Sequence, residues 1–308
     1  MTYKQQQQPI VTVNLCGGLC NRLFQIAAVL GYSEKYNCVP IFYKSLMDDN
    51  KHEDFNKTLL DLKVLIPNIV IDIINSPNIN QFEIINVSGD IACKYVELQP
   101  PKHNNSQILL QGYFQSEKYF PKQYHFLNDY VNKIVSSNNI SNLENITNKF
   151  KDAYFLHIRM GDYMGHYLHY LGYKKYFNDA IELILNKNPN AKFLICSNEK
   201  DKTKIQNEIG PIYNKLNCFY EYDLNPTLNS IFTLNNMGKC QGGICMNSSY
   251  SWFGAYFTHI KMINNYIDND SNSNIVIMPN KWFNEKYLSI DNNKDIYPEW
   301  NELTILQL

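Results

Sequence analysis

The chain has 308 residues, room for about two domains of roughly 150 residues and a sizeable core. Lys+Arg 28 against Asp+Glu 29 gives a formal net charge of −1, so no basic field exists to hold nucleic acid or an anionic membrane. With 44% hydrophobic and 19% charged residues the chain is not disordered, and no window approaches about eighteen consecutive apolar residues, the mark of a transmembrane helix. Met1 to Gln8 is polar, with no signal-peptide core, and its Gln5–Gln8 tract reads as a frayed end. The eight cysteines show no zinc-finger spacing, so they read as reduced thiols.

In chain order, Ile10 to Asn14 is a β-branched strand. It enters the turn Leu15-Cys16-Gly17-Gly18-Leu19-Cys20-Asn21, and an amphipathic helix is expected from Arg22 to Tyr36. Val39 to Tyr43 reads as the next strand, Ile108 to Phe114 as another, and Pro121 to Val135 as a helix. Ser45 to Pro101, rich in Ile and Asn, carries no clear pattern. Strands then alternate with helices: Tyr154 to Ile158, helix Tyr173 to Leu185, Lys192 to Ser197, helix Asp201 to Ile209, Asn217 to Tyr222, helix Leu228 to Met237. Strand Gly243 to Met246, helix Ser251 to His259 and strand Asn274 to Met278 follow. Repeated βα units imply an α/β fold with parallel sheets. The Asn- and Ser-rich stretch Ser136 to Asn148 is the best boundary, giving domains 1–148 and 149–308.

Four segments carry residues suited to chemistry. His157-Ile158-Arg159-Met160-Gly161-Asp162-Tyr163 follows an apolar strand. An Arg beyond the carboxyl end of a parallel strand can fork onto a phosphate, with His157 and Asp162 orienting it or handling protons. A solvated Arg–Asp turn with a packed His is the plainer alternative. Gly17 and Gly18 let backbone amides approach a ligand at a helix start that favours anions. This is neither a dinucleotide fingerprint nor a P-loop, and a tight structural turn has the same look. Asn247-Ser248-Ser249-Tyr250-Ser251-Trp252-Phe253-Gly254 opens a helix, where Ser248 and Ser249 can cap it or hold a diphosphate. Gln111-Gly112-Tyr113-Phe114-Gln115-Ser116-Glu117-Lys118-Tyr119-Phe120 shows no chemistry by spacing alone, and its aromatics are suited to lining a sugar site or simply to packing under the loop.

Taken in order, these segments resemble the pattern of glycosyltransferase family 11, the α-1,2-fucosyltransferases: G-G-L-G-N-Q-x-F-Q, then G-Y-F-Q-S-x-x-Y-F, H-x-R-R-G-D-Y and N-S-S-x-S-W-W-G. A final P-x-x-W-F matches Pro279-Asn280-Lys281-Trp282-Phe283. The resemblance spans Val11 to Phe283. It implies a GT-B-type fold, two facing Rossmann-like domains, with the acceptor side in 1–148 and the nucleotide-sugar donor in 149–308. It implies inverting transfer of L-fucose from GDP-β-L-fucose to a hydroxyl, expected on galactose of a glycan, with no metal or other cofactor. Arg159 is then expected on the β-phosphate, with Ser248, Ser249, Asn247 and His157 beside it and Gly17, Gly18, Asn21 and Arg22 on the facing domain. Asp162, or His169, which aligns with a His after the family's Arg motif, is the expected base; alternatively Asp162 only orients Arg159.

The sequence departs from the pattern at several places. Cys20 stands for Gly, Arg22 for Gln, Met160 for a second Arg and Phe253 for Trp. Ser197-Asn198-Glu199 stands for Ser-Asp-Asp, and Thr233, sixteen residues before Ser249, for an Asp that in related enzymes reads the guanine. These departures leave two further readings: a transferase using another nucleotide-deoxyhexose, or an inactive glycan-binding homologue. The expected partners are a donor and a glycan acceptor, not nucleic acid, and the expected location is the cytoplasm.

Overall fold

The computed structural model describes residues 8–47, 71–72, 74–87, 93–121, 150–224, 230–264, 274–286 and 294–308. The helix expected at Pro121 to Val135 lies outside them save Pro121, as does the boundary Ser136 to Asn148. The chain divides into two compact units, Met1–Leu127 with Asp291–Pro298, and Asn128–Ile290 with Glu299–Leu308. Asp295 ties its segment to the first unit: it accepts from the Tyr95 amide at 2.9 Å and pairs with Lys118 at 2.6 Å.

In the first unit β1 (Ile10–Val13) leads to α1 (Leu19–Tyr36), then β2 (Val39–Pro40) and β3 (Phe42–Tyr43). After β4 (Ile71–Asp72) come β5 (Glu83–Val87) and β6 (Gln107–Gly112). The sheet has order β2-β1-β6-β5, all parallel, while β3 pairs with β4 apart from it. The single strand expected at Val39 to Tyr43 is thus two. Val39 and Ile41 donate to Pro9 and Val11 of the β1 side at 2.8 and 3.0 Å, while Pro40, on this edge strand, has no amide hydrogen to offer a further strand. Helix α1 buries Leu23, Phe24, Ile26, Ala27 and Val29, the apolar face its spacing announced. It starts at Leu19, three residues before the expected start, so Asn21 and Arg22 lie in its first turn.

In the second unit the order is β7 (Ala153–Ile158), α2 (Lys174–Lys187), β8 (Lys192–Ser197), α3 (Lys202–Ile209) and β9 (Asn217–Tyr220). Then come α4 (Ser230–Lys239), β10 (Gly242–Ile244), α5 (Ser249–Asn264), β11 (Val276–Pro279) and β12 (Leu303–Leu306). The sheet is six-stranded and parallel, in order β12-β11-β10-β7-β8-β9. Tyr154, Leu156 and Ile158 of β7 pack with Tyr176, Phe177 and Ile181 of α2. All six residues of β7 are buried, as expected of a strand covered on both faces. The expected α/β fold with parallel sheets is therefore present. Among the described residues no helix is long and apolar enough to cross a membrane.

Candidate active site

The second sheet runs from β7 through β8 to β9 on one side, then resumes at β10 on the other, so strand order reverses between β7 and β10. Ligands of open parallel sheets bind beyond the carboxyl ends of strands at such a reversal. The two strand ends there carry Arg159 and Asn247-Ser248-Ser249. Their loops are joined: the Arg159 amide donates to Met246 Sδ at 2.9 Å. The Arg159 Nε and Nη2 donate to Asp162 Oδ1 and Oδ2, each at 3.1 Å, and the guanidinium lies 5.5 Å from the Tyr163 ring centroid. Its side chain is 32% exposed. A forked pair with a carboxylate fixes the guanidinium plane while leaving other N–H donors for a ligand.

Asn247 and His157 are buried in the frame of this site. Asn247 Nδ2 donates to the carbonyls of His169 (3.0 Å) and Trp282 (2.7 Å), and its Oδ1 accepts from the Tyr173 hydroxyl. His157 Nδ1 bonds Ser251 Oγ, which also accepts from the Met246 amide at 3.1 Å. Ser248 Oγ accepts from the Tyr250 amide at 3.3 Å and so caps α5. The helix begins at Ser249, two residues before the expected start, and its amino end points out of the strand reversal. Met160 is 5% exposed and belongs to the apolar core under α2. A second arginine there would be a buried charge.

His169 sits in a ring stack, 4.9 Å from Tyr163 and 4.7 Å from His166. Its Nδ1 is buried with no hydrogen-bond partner. Burial first, then the neighbouring His166 and Arg159 charges against Asp162, lower its pKa to about 4. Burial first and Arg159 second lower that of His157 to about 3. Both imidazoles are therefore neutral near pH 7. Their folded pKa values lie below the ordinary 6.5, so between about pH 6.5 and 4 the unfolded chain binds more protons. Stability is fully present above that window and falls as pH drops through it, by at most about 1.4 kcal/mol per pH unit for each histidine. Melting temperatures between pH 7 and 4 are expected to show this, with a shallower slope in His157→Gln; an unchanged slope removes His157 as a cause.

In the first sheet the order reverses between β1 and β6. The Gly17-Gly18 turn follows β1 and the Gln115 segment follows β6. Gly17 has φ +75, and a Cβ there would lie 2.6 Å from Asn21 Nδ2, so any other residue at the turn would be strained and would displace the Asn21 side chain. Gln25, buried on α1, accepts from the Cys16 amide at 3.0 Å and donates to the Gly112 carbonyl at 2.9 Å, tying the two strand ends. Gln115 Nε2 donates to Asn21 Oδ1 at 2.9 Å while its Oε1 accepts from the Cys93 thiol at 3.0 Å. The strand expected through Phe114 ends at Gly112, and Phe114 adopts φ +50 although buried. That strained kink turns Gln115 toward Asn21. Gln25 and Gln115 are the residues sequence reasoning left without a role. Both sit in the motif segments, but only strand order shows that the segments adjoin. Arg22 is 2% exposed. The Gly17, Gly18, Asn21 and Arg22 turn belongs to the first unit, and the Arg159 site to the second.

An arginine, serine hydroxyls and a helix amino end thus gather at the strand reversal of an α/β fold, a set of donors chemically suited to an anion. The chain belongs to glycosyltransferase family 11, whose model, Glycosyl transferase family 11, matches residues 1–302. It is thus a glycosyltransferase. No curated protein sequence matches it. Among solved structures it is similar to the fucosyltransferase NodZ from Bradyrhizobium, at 8% identity and TM-score 0.42, covering 81% of this chain and 93% of that one. It is similar to POFUT1 in complex with GDP at 12% identity and TM-score 0.38, covering 82% and 96%. The E. coli heptosyltransferase WaaC with ADP matches at 6% identity and TM-score 0.34, covering 97% and 91%.

Proposed function

We propose that the protein is an inverting α-1,2-fucosyltransferase that moves L-fucose from GDP-β-L-fucose to a glycan hydroxyl. Family membership gives glycosyl transfer, and the observation that carries the finer reading is Arg159 fixed at the β7/β10 reversal beside the amino end of α5. The acceptor oxygen bonds to the anomeric carbon on the face opposite the leaving group, and the bond to the β-phosphate oxygen breaks. GDP departs with the electron pair. Arg159, Ser248 and Ser249 meet the charge that grows on the diphosphate, while Asn247 and His157 hold the strand ends that carry them. Gly17, Gly18 and Asn21, at the turn after β1, are assigned to the donor as well, while Arg22, 2% exposed, is packed within the first unit. The acceptor proton passes to Asp162 or to the neutral imidazole of His169, both on the loop after β7.

This scheme draws its positive charge from the protein, so transfer is expected to persist in excess EDTA. Eight free cysteines, six of them buried, suit a reducing compartment, and we place the enzyme in the cytoplasm. Thr233, 8% exposed on α4, favours a second reading in which the donor carries another base or deoxyhexose. A melting screen against GDP-fucose, GDP and other nucleotide sugars tests both. Protection by GDP-fucose and GDP with fucosyl transfer supports the first reading, and protection by a different nucleotide alone replaces it with the second.

A further inference from the structure

We infer that Asn198 is a positioning residue for Arg159, acting through the backbone on either side of it. This rests on the reading of Arg159 as the ligand of the donor diphosphate. Arg159 stands on a two-residue bridge, Arg159 and Met160, between the end of β7 and the 3-10 turn Gly161–Tyr163. Its neighbours are fastened by two consecutive residues at the carboxyl end of β8. Ser197 Oγ donates to the Ile158 carbonyl at 2.8 Å. Asn198 Oδ1 accepts from the Met160 amide at 2.7 Å, and Asn198 Nδ2 donates to the Met160 carbonyl at 3.2 Å. A single carboxamide thus closes both polar groups of one peptide residue. A carboxylate at the same place keeps the first bond and loses the second, and alanine loses both. Gly161 completes the fit: it has φ +63, and a Cβ there would approach Asn198 Nδ2 at 3.1 Å.

The consequence for function follows from where the fastened backbone lies. The forked Arg159–Asp162 pair holds the guanidinium relative to its own loop. The Asn198 and Ser197 bonds hold that loop relative to the sheet. A guanidinium free to shift by about 1 Å loses much of its value against a developing charge.

The test is a binding cycle with GDP, read by calorimetry, on full-length protein. Asn198→Ala is expected to weaken GDP binding about tenfold, as the loss of a backbone clamp of two hydrogen bonds allows. Asn198→Asp is expected to fall between it and the wild type. In an Arg159→Ala background, Asn198→Ala is expected to add nothing, because it acts through that guanidinium. Melting temperatures taken alongside separate loss of fold from loss of position, and Asn198→Asp preserves the shape should alanine unfold the chain. Equal GDP affinity in all Asn198 variants overturns the inference, as does an undiminished, additive loss in the Arg159→Ala background. Wild-type protein that binds no GDP overturns the donor reading itself, and this inference with it.

Discussion

Arg159→Ala is expected to lower fucosyl transfer by about 100- to 1000-fold or more, the usual result of removing one preorganised donor from a site of developing negative charge. The fold should survive. The Arg159 and Asp162 side chains are 32% and 46% exposed, so Asp162 is left facing water and not a dry interior. An ion pair this open contributes at most about 1 kcal/mol. Melting temperature is therefore expected to stay near that of the wild type while turnover collapses. Arg159→Lys should recover part of the rate, because the ammonium restores charge but not the fork that matches both Asp162 and a phosphate. Turnover at a tenth of the wild-type rate or better in the alanine variant would remove Arg159 from this role.

The legible part of this fold was the part governed by short-range rules. Buried parallel strands such as β7 and β8 are continuous apolar runs, and helix α1 announces its buried face by spacing. Where the reading failed, tertiary contacts decide. Strand β5 (Glu83–Val87) alternates half-buried and exposed residues up to a buried Val87 and is held by its pairing with β6. Strand β12 lies at a sheet edge beside β11 and has no buried residue. Both are short runs with three apolar residues each, too brief to fix a strand by pattern alone, and each takes its order from its partner strand. The site divides in the same way. Arg159 at a strand end was readable from the residues around it. The role of Gln115 was not: its bond to Asn21 spans two segments that only the reversal between β1 and β6 brings together.

Asn247 makes the complementary case, a site residue whose loss should act on stability first. It is 1% exposed and joins three chain segments: the His169 loop, the Trp282 segment and the Tyr173 hydroxyl at the start of α2. Replacing it with alanine deletes these bonds in a place water does not reach and leaves a small void. Each buried polar group left unsatisfied costs about 1–3 kcal/mol, so a loss of about 2–4 kcal/mol in urea denaturation is expected. Asn247→Asp should be at least as damaging despite its identical shape. Its carboxylate would face the carbonyl oxygens of His169 and Trp282 where two N–H groups now point. An alanine variant within about 0.5 kcal/mol of the wild type, the range of ordinary surface changes, would show that the network is not structural. The two substitutions separate cleanly because they sit on adjacent strand ends with opposite exposure. Arg159→Ala should remove chemistry and leave the fold, whereas Asn247→Ala should loosen the fold and take chemistry with it, and a partial rescue of its activity is expected on adding GDP-fucose at saturating concentration, since a ligand that binds only the folded state restores that state by mass action.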